Sequence, residues 1–248
     1  MTDVRKLLMA AAGAGGGAGL DVDEVFSTYL YEGNNSTQTI TNGIDLDGEG
    51  GLVWIKSRSD TQSHELADTV RGNTKFLRTN STTAERTSTS GDITAFNSSG
   101  FSLGASTTSG VNSSGNDYAS WTFRKAPKFF DVLTYTGNGT SQTIAHNLGT
   151  TVGSIFVKCT TNTYDWAIYH RSLGGGYYLR TAPYGTDAAG ATTQYWNNTD
   201  ATSQSFTVGS NSATNYSGQT YVAYIFAHND SGDGGMGTDG DKAIVKGG

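Results

Sequence analysis

The side chains best suited to chemistry are few and scattered. Four histidines, His64, His146, His170 and His228, show no H-x-x-x-H or H-E-x-x-H spacing, so no two are set to share a zinc ion from one helix face. A single cysteine, Cys159, can form neither an internal disulfide nor a cysteine-based zinc site. It lies just after the apolar run 155–157, which favours a buried structural thiol over a nucleophile. Carboxylates gather in loops, at Asp45, Asp47 and Glu49 and again at Asp233, Asp239 and Asp241, with none singled out as an acid–base pair. The order D-L-D-G-E at 45–49 has the oxygen ligands calcium prefers. The twelve-residue calcium loop is missing, so a solvated turn is the simpler reading. A G-x-S-x-G elbow, a P-loop and a dinucleotide fingerprint are all lacking. The expectation is a protein with no enzymatic activity, no metal and no cofactor.

Aromatic residues are more suggestive. Tyr164, Trp166, Tyr169, Tyr177, Tyr178, Tyr184, Tyr195 and Trp196 crowd one part of the chain. Such rings stack on sugars and anchor protein contacts, so a glycan or receptor patch is one reading. Filling of a sandwich core or a subunit interface is the other.

The elements that carry these residues follow from composition. Thr (36), Ser (25), Asn (16) and Gly (34) make up 111 of 248 residues, while charged residues reach only 15 %. Helix surfaces need Glu, Lys, Arg, Gln and Ala, so a mostly helical protein is excluded. Net charge is −6 and no long basic run occurs, which gives no footprint for nucleic acid. No apolar stretch is long enough to insert in a membrane as a helix.

Self-similarity is the strongest signal. YEGNNSTQTITNGIDLDGEGGLVWIK at 31–56 matches YTGNGTSQTIAHNLGTTVGSIFVK at 135–158. FLRT at 76–79 matches YLRT at 178–181, FSLG at 101–104 matches FTVG at 206–209, and DYASWTF at 117–123 matches TYVAYIF at 220–226. The order is kept throughout, which indicates a tandem duplication. Short strands separated by Gly/Asn turns predict an all-β chain of two tandem β-sandwich modules with jelly-roll-like connections, at 21–130 and 131–230. In 117–123 and 220–226 the alternation predicts one buried and one semi-polar face.

Residues 1–20 precede the modules. Val4, Leu7, Leu8 and Met9 lie in a helical pattern over 4–12 that a glycine-rich stretch ends. An anchoring helix on a hinge fits best; a signal peptide and an unstructured tail are the alternatives. Residues 231–248 read as a Gly/Asp linker, with 243–245 entering a further module.

The segments VRKLLMAAAG, GNGTSQTI, GSIFVK, the pattern W-x-I-Y-H-R-S-L and YLRT resemble repeat-containing tail-fibre and structural proteins of marine bacteriophages. The resemblance implies a virion protein, with the N-terminal helix docked on tail proteins such as an adaptor or nozzle. It also implies a homotrimer and modules projecting toward a host surface glycan. A capsid decoration or carbohydrate-binding protein is the second reading. No catalytic residue is carried over.

Overall fold

The computed structural model describes residues 20–88, 92–105, 110–181 and 190–228. The expected anchoring helix with Val4, Leu7, Leu8 and Met9, the residue Tyr184 and the linker at 231–248 lie outside them.

The chain is all-β and duplicated. After a single helical turn, α1 (Val22–Val25), the first copy runs through β1 (Phe26–Glu32), β2 (Gln38–Thr41), β3 (Gly51–Ser57), β4 (Glu65–Asp68), β5 (Lys75–Phe76), β6 (Arg86–Thr87), β7 (Ile93–Asn97), β8 (Gly100–Leu103) and β9 (Asp117–Arg124). The second copy follows with β10 (Phe130–Thr136), β11 (Gln142–Ala145), β12 (Val152–Cys159), β13 (Ala167–His170), β14 (Tyr177–Arg180), β15 (Gly190–Ala191), β16 (Ser205–Val208), the turn α2 (Ser212–Asn215) and β17 (Thr220–Ala227).

Each copy is a sandwich of one large and one small antiparallel sheet. The large sheets have the orders β1-β9-β3-β4 and β10-β17-β12-β13-β14-β15. In the first, a bridge from Leu66 to Leu77 continues the sheet toward β5. The small sheets are β2-β8-β7 and β11-β16. Register is copied as well. Phe26 opposes Phe123 as Phe130 opposes Phe226, and Trp54 opposes Trp121 as Phe156 opposes Tyr224. First and last strands of each copy therefore pair, which closes each module on itself.

Three apolar cores result among the described residues. One fills the first sandwich around Val53, Ile55, Phe101 and Tyr118. Its counterpart fills the second around Ile155, Val157, Phe206 and Tyr221. The third lies between the two large sheets and draws on both copies: Leu52, Leu66, Leu77 and Val25 from the first, Phe130, Val132, Trp166, Val222 and Tyr224 from the second. The two sheets stack face to face across this seam.

The third core explains the sequence patterns. In β3, Leu52 and Trp54 point to the seam while Val53 and Ile55 point inward, so the run is apolar throughout. The expectation of a semi-polar face on 220–226 is corrected. Tyr221, Ala223 and Ile225 fill the module core, and Val222, Tyr224 and Phe226 pack in the seam. In β9 the polar-looking face is the inner one: Tyr118, Ser120 and Thr122 are fully buried. Residues at the same position of the two repeats meet in the seam. The rings of Phe123 and Phe226 lie 5.5 Å apart. Thr181 Oγ1 donates to the Thr79 carbonyl at 2.9 Å. Trp54 and Phe156 line the same small cavity of about 20 Å³. Contact between equivalent positions is what a two-fold relation produces, so the tandem copies pack as an isologous dimer does.

Candidate functional site

Among the described residues, polar or aromatic groups gather in the aromatic region of the second module, in the seam, at the loop ends of the sandwiches and where the copies join. Trp166, Tyr169, Tyr195 and Trp196 are buried, so at these four positions the aromatics fill cores and do not form a glycan or receptor patch. Tyr169 meets Trp196 edge-on at 5.9 Å, and both belong to the second module's core. Tyr178 stacks on Tyr195 at 3.8 Å and packs against the same core. Trp166 lies in the seam, and its indole Nε1 donates to the Arg78 carbonyl at 2.9 Å. These rings supply the area that a chain poor in aliphatic residues must find elsewhere. Tyr177 is exposed on β14, while Tyr164 is half-buried beside an exposed residue the sequence reading did not select, Tyr216.

The seam holds the densest charge. Asp68, at the end of β4, accepts from Arg71 Nε at 2.6 Å and from the Tyr224 hydroxyl at 2.8 Å. Arg71 Nη2 donates to the same Tyr224 hydroxyl at 3.0 Å, and its Nη1 meets Glu85 at 3.0 Å. At the other end of the same strand, buried Glu65 takes Arg78 at 2.8 Å and Arg86 at 3.1 Å, and Arg86 also reaches Asp92 at 3.0 Å. Burial pushes the Glu65 carboxyl above its usual range, against the pull of the two arginines. The network links the copies. Tyr224 belongs to the second and its partners to the first, and Glu85 N donates to the Thr160 carbonyl at 2.9 Å. Such an arrangement fixes the orientation of the groups it joins.

Lys158 is the penultimate residue of β12, and its side chain is fully buried. Its Nζ donates to the carbonyls of Cys159 at 2.9 Å and Asn162 at 3.4 Å. The repeat-equivalent Lys56 does the same to Ser57 at 2.6 Å and Asp60 at 3.1 Å. A lysine closing a strand-end turn is thus part of the module's construction plan. Burial lowers the Lys158 pKa to about 8, partly opposed by Cys159 and Asp165. An unfolded lysine titrates near ~10.4, so between pH ~8 and ~10 the unfolded chain binds the extra proton. Stability is therefore expected to rise over that window. The phenols of Tyr31, Tyr135 and Tyr224 are raised well above 10 by burial. Their stabilising effect is lost as pH climbs past the unfolded tyrosine value, which turns the curve down above pH ~10. Urea titrations of wild type and Lys158→Met across pH 7–11 test this. The variant should lose the rising limb and keep the fall.

The loop ends carry a polar knot built twice. Buried Asn112 and Asn215 each bind the G-N turn that opens their module. Asn112 Nδ2 donates to the carbonyls of Gly104 and Ser36, both at 2.7 Å. Its Oδ1 accepts from Asn34 N at 3.0 Å and Gln38 Nε2 at 2.5 Å. Asn215 Nδ2 donates to the carbonyls of Gly209, at 2.6 Å, and Thr140. Its Oδ1 accepts from Asn138 N and Gln142 Nε2, both at 2.9 Å. The turn needs a left-handed residue, supplied by Asn35 at φ 51° and by Gly139 at φ 76°. The motif that looked like a repeat signature is the acceptor and donor set of one buried amide.

A cavity of about 190 Å³ opens where the copies join, lined by Glu49, Lys125, Pro127, Phe130, Asp131 and Asn147. Asp131 is satisfied there by Val132 N at 2.9 Å, Asn147 N at 2.8 Å and Lys125 at 3.2 Å. Among the described residues no three His, Cys, Asp or Glu side chains converge as metal ligands. Asp45 instead caps its own loop by accepting from Gly48 N at 2.8 Å. Cys159 is buried and unbridged. The histidines play local parts: His64 accepts from Trp54 Nε1 at 2.9 Å, and His146 accepts from Leu148 N at 3.2 Å.

No curated protein and no solved structure matches the chain. One family model does, over residues 21–233, which is both modules together. The chain belongs to the family described as a domain of unknown function, DUF7483.

Proposed function

We propose that this chain is a bacteriophage virion structural protein, the proximal part of a tail fibre. Residues 1–20 would anchor it to the tail through Val4, Leu7, Leu8 and Met9, and the sandwich modules would project toward the host. The observation that supports this reading is the seam. Two β-sandwiches in tandem are joined by an apolar core of their own and by hydrogen bonds from the Tyr224 hydroxyl to a buried ion pair of the first copy, with only a short connection between β9 and β10. Tandem modules locked to each other transmit position along a chain, which is the mechanical task of a fibre. The segments that resemble virion proteins support it from the sequence side.

Immunogold electron microscopy with antibody against residues 21–230 tests the reading on phage particles whose genome encodes the chain. Gold at the tail is the expected result. Gold over the head would replace the fibre by a decoration protein, and unlabelled particles would reject a virion role. Deleting residues 1–19 is expected to remove the protein from particles while leaving the thermal unfolding of the modules in place. Retention on the particle would assign attachment to the sandwiches.

A further inference from the structure

The two loop ends are matched in backbone and in hydrogen bonds, so the places where their side chains differ are not dictated by the fold. Tyr216 follows Asn215 as Ser113 follows Asn112. Tyr216 N donates to the Tyr221 hydroxyl at 2.7 Å, and Ser113 N donates to the Tyr118 hydroxyl at 3.0 Å. The next turn is also the same, with Gln219 N bonding the Tyr216 carbonyl and Asn116 N the Ser113 carbonyl. Serine therefore satisfies this position, yet the second module places there a tyrosine that is 52 % exposed. The same holds for Tyr164, which stands where the first module has the exposed Gln62. The two tyrosine rings lie 6.3 Å apart at an interplanar angle of 38°. Tyr164 rests on the module core beneath, which holds it in place, and Tyr216 forms the outer part of the shelf.

The rim of this shelf has a chemistry of its own. Loops 137–141, 160–164 and 216–219 surround it, and none of their residues is charged. The corresponding loop of the first module carries Arg58 and Asp60, where the second has Thr160 and Asn162. Thr161 Oγ1 donates to Gln219 Oε1 at 2.8 Å, so that side-chain amide is held at the rim. An exposed tyrosine ring with a half-buried one beside it, next to neutral hydroxyl and amide groups, matches the apolar face and hydroxyl edges of a sugar. A protein partner of ordinary size would need a far larger patch, about 800 Å² on each side.

We infer that Tyr216 and Tyr164 form a binding platform for a neutral carbohydrate at the loop end of the second module. This inference does not rest on the tail-fibre reading, because binding is measured on the isolated chain and localisation on particles. Affinity electrophoresis of the full chain through gels containing dextran, amylose, galactomannan, laminarin or, as an acidic control, alginate tests it. Retardation by at least one neutral polysaccharide is expected. It should be lost in the double variant Tyr216→Ser, Tyr164→Gln, which carries the residues the first module folds with, and kept in Tyr177→Ser, which removes the other exposed tyrosine among the described residues of this module. Circular dichroism melts should show both variants folded. Four outcomes would overturn the inference: no retardation by any neutral polysaccharide, retardation by alginate alone, retardation the double variant retains, or retardation that Tyr177→Ser abolishes. Sedimentation velocity adds a fifth. Concentration-dependent dimerisation abolished by the double variant, with no retardation, would assign the shelf to a second copy of the chain.

Discussion

Replacing Asp68 by alanine is expected to cost about 3–5 kcal/mol and to loosen the two modules from each other. The side chain is fully buried and accepts four hydrogen bonds, from Val70 N, Arg71 N, Arg71 Nε and the Tyr224 hydroxyl. Its removal leaves the Arg71 guanidinium, 4 % exposed, with Glu85 as its remaining carboxylate. It also leaves a phenol hydroxyl from the other module facing an unbalanced cation. Uncompensated buried charge is what makes such truncations expensive, far more than the net value of the intact pair. Tyr224→Phe removes only the shared hydroxyl, so a loss of about 1–2 kcal/mol is expected for it. Urea unfolding followed by tryptophan fluorescence reads both effects, since Trp54 and Trp166 lie at the seam and Trp196 in the second module's core. In Asp68→Ala the seam tryptophans should report a transition at lower urea than the rest of the chain. A cost below about 1 kcal/mol would mean that the apolar seam alone holds the copies together.

The duplication, the all-β class and the two modules could be read from the sequence because each rests on local signals. Gly-Asn turns, Q-T-I strands and apolar runs recur at matched positions, and strands keep a period of two whatever they pack against. The seam could not be read in this way. Whether Val222, Tyr224 and Phe226 face water or a partner sheet depends on a contact between residues about 100 positions apart, and the alternation is the same in either case. The aromatic candidates divided for the same reason. Trp166 and Trp196 are the right residue type for a binding face, but one is roofed by the other module and the other turns into its own core. Tyr216 escaped notice because it is a single tyrosine in a polar turn. Aligning the two copies residue by residue, with serine opposite it, is the signal that could have found it.

The second large effect is expected at the polar knots, where Asn112→Leu and Asn215→Leu should each cost about 4 kcal/mol and unfold the module that carries the change. Leucine keeps the branched shape of asparagine but is larger and makes no hydrogen bonds, so overpacking adds to the loss of the polar contacts. In the second module the change strips the donor from the Gly209 and Thr140 carbonyls and the acceptor from Asn138 N and Gln142 Nε2. Each buried group left unmade costs about 1–3 kcal/mol, and relaxation of the turn recovers part of it. The turn has little room to relax. A Cβ at Gly137 would run into the Tyr216 carbonyl oxygen, and one at Gly33 into that of Ser113. The strands that these turns join are the first of each module, so loosening the knot frees β1 or β10 from its partner. Tm and urea midpoints of the two variants measure the effect. Trp196 fluorescence should follow the damage in Asn215→Leu, and Trp54 and Trp121 in Asn112→Leu. Asn215→Asp separates the two halves of the interaction. It keeps an acceptor for Asn138 N and Gln142 but turns a carboxylate toward two carbonyls. It should therefore be nearly as damaging at pH 7 and partly restored at a pH low enough to protonate the acid, where one donor returns. A loss under about 1 kcal/mol in either leucine variant would mean that strand pairing alone holds the loop ends and that the duplicated amide contributes shape without stability.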